Sequence, residues 1–282
     1  MITIKNLSKS FRRKEVLHSV NLQLDNKVYG LLGANGAGKT TLIRCIAGLY
    51  EPQQGEILYH DEPIHKSKSF HRDLGYLPQS FGMFPELTLY EMMDYICSLK
   101  NIPKSKCESV ITKVLTSVNL EDKAKDSIKT LSGGMVRRVG IAQALLGETK
   151  VMLLDEPTAG LDPSERVRFK NTVAELKNGR MILISTHIVE DVDVCCDNVI
   201  VIDEGYVLFN DSCEELRKIA INKVYQINET DSVRITGEKY ILNITEIEGK
   251  IYHRILTKEK LNYPSEEPSL EDGYMCLLKG LA

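Results

Sequence analysis

Gly33-Ala34-Asn35-Gly36-Ala37-Gly38-Lys39-Thr40 follows the short apolar run Val28-Tyr29-Gly30-Leu31-Leu32 and opens a segment, Thr40–Ala47, with helical apolar spacing. It matches GxxxxGK[ST], and strand, glycine-rich loop and helix form the context in which that pattern binds phosphate. The glycines let the backbone wrap an anion with its N–H groups turned inward, and the helix N-terminus adds its positive dipole end. Lys39 can reach the β- and γ-phosphates as a point charge, and the Thr40 hydroxyl can ligate Mg²⁺. Gly48 closes the helix as a C′ residue. The glycine order is not GxGxxG, so a dinucleotide fold is excluded. A nucleoside triphosphate is the expected ligand.

A second site lies downstream. Val151-Met152-Leu153-Leu154 is a continuous apolar run that delivers Asp155 and Glu156 at its end. In a parallel sheet that edge is where ligands bind. Asp155 suits an indirect Mg²⁺ role, and Glu156 could orient or deprotonate an attacking water. Helix-like Pro163–Lys177 and a further apolar run, Met181–Ser185, complete a strand–helix–strand unit, which predicts a parallel α/β sheet. Upstream, Met1–Leu7 and Val20–Leu24 alternate apolar and polar residues, as antiparallel strands with one solvated face do. Residues from about 82 to 150 are helical in pattern: a capping box at Thr88–Glu91, then periodic segments at Ser109–Val118 and Met135–Leu146.

Composition bounds the class. The 282 residues are 43% hydrophobic and 27% charged, with 36 Lys and Arg against 39 Asp and Glu. These values fit a globular chain, and a net charge of −3 predicts no nucleic-acid partner. No run approaches the ~18 apolar residues of a membrane span, and the N-terminus lacks the apolar segment of a signal peptide. Seven cysteines without a CxxC pair read as reduced thiols.

Leu131-Ser132-Gly133-Gly134-Met135 lies between the two sites, and with it residues 1–217 resemble the ATP-binding cassette (ABC) ATPases. Gln79 stands at the place of the family's Q-loop glutamine, Ala159-Gly160-Leu161-Asp162 looks like the D-loop, and Ser185-Thr186-His187 looks like the switch histidine. The resemblance implies a P-loop α/β fold with a mainly parallel core sheet, an N-terminal antiparallel β subdomain and a helical subdomain. It implies nucleotide contacts from Phe11, stacking on adenine, and from Gly33, Ala34, Asn35, Gly36, Ala37, Gly38, Lys39, Thr40 and Thr41. Ser132, Gly133 and Gly134 would close over the γ-phosphate held by a second copy. Thr40, Gln79 and Asp155 would serve Mg²⁺, while Glu156, His187 and Gln79 would serve hydrolysis of ATP.

The same resemblance implies a second ATPase subunit, expected to be identical, and an integral-membrane permease. The chain is then expected at the cytoplasmic face of the cell membrane, held there through the permease. Phe81, Phe84 and Leu87 lie where the family docks that partner. Met135 departs from the usual glutamine. Met135–Gly140 and the tail Glu267-Pro268-Ser269-Leu270-Glu271-Asp272 resemble multidrug and antibiotic-type exporters. Two other readings stay open: a soluble ABC protein, and a sensor that uses the cassette as a switch.

Arg137-Arg138 is expected on a surface or interface. His60, His65 and His71 lack zinc-site spacing and read as a solvated loop. Residues 218–282 form an expected small β-rich accessory domain, with strands at Val224–Asn228, Ser232–Thr236, Tyr240–Ile247 and Lys250–Ile255 and a hairpin turn at Ile235–Lys239.

Overall fold

The computed structural model describes Met1–Ala282. It divides into two compact units, Met1–Val207 and Leu208–Ala282. That division falls ten residues before the expected boundary at 217/218.

In the first unit, β1 (Ile2–Phe11), β2 (Lys14–Leu24), β4 (Gln54–Tyr59) and β5 (Glu62–Pro63) form an antiparallel sheet in the order β2-β1-β4-β5. A second sheet runs β10-β9-β3-β8-β7-β6. Its members are β3 (Val28–Leu32), β6 (Leu74–Leu77), β7 (Val151–Asp155), β8 (Met181–Thr186), β9 (Asn198–Asp203) and β10 (Tyr206–Ser212). The β3, β6, β7, β8 and β9 pairings are all parallel. Every residue of β3, β7 and β8 is buried, which explains their unbroken apolar runs. Alternate residues still serve different cores. Met152, Leu154, Ile182 and Ile184 pack with the helical segment, whereas Val151, Leu153, Met181 and Leu183 pack with the antiparallel sheet and α1 (Lys39–Ile46).

The short α2 (Lys68–Asp73) precedes β6. The helical segment contains α3 (Leu89–Leu99), α4 (Lys104–Ser117) and α5 (Gly133–Leu145). The Thr88 hydroxyl accepts the Glu91 amide, and the Glu91 carboxylate accepts the Thr88 amide, so the capping box is formed. Helix α4 starts five residues earlier than its apolar pattern suggested. Pro103 occupies the N-cap, and the polar first turn already buries Cys107. Inside α5, Gly140 is dictated by space: a Cβ there would sit 2.5 Å from Phe81 Cζ and 2.6 Å from Leu77 Cδ1. The remaining helices, α6 (Pro163–Leu176) and α7 (Val189–Cys195), flank β8 in sequence.

Strand β10 carries the chain into the second unit, which contains α8 (Cys213–Lys218), β11 (Val224–Asn228), α9 (Glu229–Arg234), β12 (Lys239–Ile247), β13 (Lys250–Thr257) and α10 (Leu270–Leu278). Its sheet is antiparallel, in the order β11-β13-β12. Two expectations are corrected here. Ser232 lies on helix α9, because Asn228 caps that helix by accepting the Asp231 amide at 2.9 Å. Ile235–Lys239 therefore joins a helix to a strand. The hairpin turn is Glu248-Gly249, both at positive φ, between Ile247 and Lys250.

The tail motif has a structural cause. Ser269 and Asp272 form the capping box of α10, and Asp272 also accepts two Arg254 bonds, at 3.2 and 2.6 Å. Gly273 is required because a Cβ would lie 2.0 Å from the Leu216 carbonyl oxygen. Replacing Asp272 by alanine removes the reciprocal half of the capping box and a buried charge-assisted partner together, a loss of about 3 kcal/mol from those two sources. Amide hydrogen exchange on the full-length chain should show α10 losing protection first.

Candidate active site

Strand register gathers the site. Leu31 pairs with Ser185 and Leu32 with Thr186, while Asp155 pairs with Ser185. Three parallel strands thus end together, and Gly33, Glu156 and His187 follow at one edge. Gly33 is needed there, since a Cβ would lie 2.2 Å from the Ile202 carbonyl oxygen. Gly36 and Gly38 turn the loop at φ 86° and 109°. Helix α1 has no side-chain cap, so its N-terminus is left to an anion.

Lys39 is buried. Its Nζ donates to the Gly33 and Ala34 carbonyls at 2.8 and 3.1 Å and lies 3.3 Å from Glu156 Oε1. His187 Nδ1 lies 3.1 Å from Glu156 Oε2. Glu156 itself adopts φ +49°, an unusual conformation for a non-glycine residue and one that concentrates at functional sites. Thr40 Oγ1 donates to Asp155 Oδ1 at 3.1 Å, and Ser185 Oγ donates to the same oxygen at 2.6 Å while accepting the Glu156 amide at 2.9 Å. Asp155 Oδ2 is buried without a hydrogen-bond partner. A hard divalent cation is the natural partner for that oxygen beside a hydroxyl, so the donor set fits Mg²⁺.

A cleft of about 360 Å³ is lined by Val16, Asn35, Gly36, Gly38, Lys39, Thr40, Thr41, Gln79 and Glu156. His187 joins this group through Glu156. Phe11 is not among the lining residues. It ends β1, exposed, with its ring edge-on to Tyr50 at 5.2 Å and Lys9 above both rings. Ser132, Gly133 and Gly134 are likewise outside the cleft. Ser132 caps α5 by accepting the Met135 amide at 3.3 Å, and the space beside Gly133 is open. His60, His65 and His71 are exposed.

The surface or interface placement expected for Arg137-Arg138 is corrected: both are buried within this chain. Arg138 donates to the Val118 and Asn119 carbonyls and lies 3.1 Å from Glu165. Arg137 donates to the carbonyls of Pro157, Gln79 and Asp155 at 2.9, 2.9 and 3.0 Å, and to that of Glu156. Burial lowers the Arg137 pKa, opposed by the nearby Asp155 and Glu156 charges. Helix α5 is buried on nearly every side from Arg137 to Leu145, so both arginines are enclosed by their neighbours rather than set on a solvated face. Ser185, bonded to both Asp155 and Glu156, is a further side chain of the cleft edge that the sequence alone did not single out.

Comparison with known proteins agrees with this architecture. The family described as "ABC transporter" matches residues 17–159, just over half of the chain. An uncharacterized ABC transporter ATP-binding protein of Bacillus subtilis, YxlF, is 34% identical over 229 residues, covering 81% of this chain and 76% of that protein. The linearmycin resistance ATP-binding protein LnrL of the same organism is 32% identical over 262 residues, covering 89% and 84%. A solved structure of an ATP-binding subunit of an ABC transporter superposes with a TM-score of 0.69 at 29% identity, covering 77% of this chain and 92% of that one.

Proposed function

The chain belongs to the ABC transporter family as an ATP-binding subunit with ATPase activity, and from that premise we propose an export motor. Two copies clamp two ATP molecules at the cytoplasmic face of a membrane and drive a separate permease. No helix is long and apolar enough to cross a membrane, in keeping with a permease on another chain. The observation that carries the reading is the split of the site. The phosphate loop and carboxylates share one cleft, while the open turn at Ser132-Gly133 lies outside it. A second copy would supply that turn to the γ-phosphate, with Ser132 offering a hydroxyl, Gly133 and Gly134 close approach, and α5 its dipole.

Within the cleft, Lys39 and the loop amides bind the β- and γ-phosphates. Thr40, Asp155 and Gln79 would hold Mg²⁺, which when bound would neutralise phosphate charge. Glu156 orients or deprotonates water, and His187 contacts the γ-phosphate. Phe11 stacks on adenine. Residues 1–217 act as the ATPase domain and 218–282 as its accessory domain.

Phe84 is exposed and edge-on to Tyr95, also exposed, at 5.5 Å, which suits docking of the permease. Phe81 packs inward against α5 and so supports that surface from below. Export is favoured by the Met135–Gly140 segment, by the Glu267–Asp272 tail and by the resistance role in the name of LnrL.

Purification from membranes tests the reading. The chain should copurify with an integral-membrane protein in equal numbers, and the isolated chain should form dimers when ATP is added. A chain that stays monomeric with ATP and free of membranes overturns it. Ser185→Ala, which frees both the Asp155 carboxylate and the Glu156 amide, should lower kcat about tenfold, as the loss of ~1.4 kcal/mol of hydrogen bonding would. Steady-state phosphate release measures it.

A further inference from the structure

We propose that Arg137 is a positioning residue for hydrolysis, fixing the Asp155-Glu156-Pro157 backbone and tying it to the segment that carries Gln79. The inference rests on Glu156 being the hydrolytic carboxylate.

A guanidinium presents its donors in a rigid planar fork and accepts nothing. Here Nε bonds the Pro157 carbonyl, Nη1 the Gln79 carbonyl, and Nη2 the carbonyls of Asp155 and Glu156. Three consecutive carbonyls converging on one group fix three successive peptide planes. Between the first two lies Glu156 at φ +49°, the conformation that needs support from its surroundings. Its amide is held from the other side by Ser185. The side chain is thus aimed by its backbone from two directions, toward Lys39 and His187.

The fourth carbonyl belongs to a different segment. Gln79 follows β6 and lines the cleft, and two residues later Phe81 places its ring 5.8 Å from the Arg137 guanidinium carbon. Gly140, one turn along α5 from Arg137, leaves room for that ring. A shift of the Gln79–Phe81 segment therefore pulls on the same fork that holds Glu156. Lysine retains the charge but presents a single ammonium point, which cannot serve four carbonyls in the plane of a fork. Charge alone would predict tolerance of lysine, and geometry predicts failure.

Full-length Arg137→Lys, Arg137→Gln and Arg137→Gly are compared with the wild type for phosphate release and for binding of a fluorescent ATP analogue. In Arg137→Lys, kcat should fall ten- to thirtyfold while analogue affinity stays within about twofold, and Arg137→Gln should behave alike. Added guanidinium ion should raise kcat of Arg137→Gly severalfold and leave the wild type unchanged. Combined with Glu156→Gln, Arg137→Lys should bring no further loss, as coupled residues do. An Arg137→Lys chain within twofold of wild-type kcat overturns the proposal. So does a parallel loss of kcat and affinity without guanidinium rescue, the pattern of a purely structural residue. If Glu156→Gln keeps wild-type turnover, the reading of Glu156 fails first and takes this proposal with it. If Glu156→Gln is inactive and Arg137→Lys is not, only the proposal fails.

Discussion

Glu156→Gln should lose phosphate release by at least a hundredfold while ATP binding and ATP-dependent dimerisation persist. A positioned general base contributes roughly 10²–10⁴ in rate, and the amide cannot take a proton. The substitution is nearly isosteric, so the cleft keeps its shape. Lys39 stays in place on the Gly33 and Ala34 carbonyls, with a neutral amide oxygen where the carboxylate stood. Removing the carboxylate also removes the anion that lies 3.3 Å from Lys39 and competes with phosphate for it. Affinity for ATP should therefore hold or rise, which separates a catalytic defect from a binding defect. Stopped phosphate release with a stable dimer on size-exclusion chromatography is the expected pair of results. Wild-type turnover would remove Glu156 from the chemistry.

Lys39, Thr40, Asp155 and Glu156 were legible in the sequence because their chemistry is local. A glycine loop between strand and helix, and an apolar run ending in two acids, need no knowledge of distant residues. The parallel register then brings them together without further instruction. Ser185 and Arg137 were not legible, for opposite reasons. Ser185 looks like the polar end of an ordinary strand, and only its pairing with Asp155 gives its hydroxyl two partners. Arg137 looks like a solvated cation, since charge dominates a reading of Arg-Arg. Its partners are backbone carbonyls, which carry no sequence identity at all.

The second unit repeats the point. Ser232–Thr236 alternates like a strand, with Val233 and Ile235 as its apolar members. Asn228 nevertheless starts a helix ahead of it, and the Ser232 hydroxyl meets buried His253 at 3.0 Å. A single capping side chain outweighed a short apolar alternation. Conversely, Ser269 and Asp272 form a capping box, which is the physical reason for a segment that the sequence offered only as a resemblance to an exporter tail. Capping side chains decide local structure in this unit, because their hydrogen bonds form within one turn.

Lys39→Met should abolish nucleotide binding in practice, lowering ATP affinity about a hundredfold, or ~2.7 kcal/mol. A unit pair at 4 Å is worth about 4 kcal/mol at an effective dielectric of 20, so one buried ammonium facing phosphate charge can supply that loss. Methionine keeps the unbranched stem and fills the same buried space, which limits damage to packing. A second effect works on the fold. Lys39 and Glu156 are a buried pair, with side chains 5% and 6% exposed, and removing one partner leaves the other charge with His187 alone. Breaking such a pair destabilises, whereas replacing both members by neutral groups need not. Lys39→Met should thus melt below the wild type, and Lys39→Met combined with Glu156→Gln should recover part of that loss. Neither variant should bind ATP at wild-type strength. Calorimetry on the chain without nucleotide reads the first comparison, and displacement of a fluorescent ATP analogue reads the second. If the double variant melts below Lys39→Met alone, the ion pair is not what holds Glu156 in the cleft.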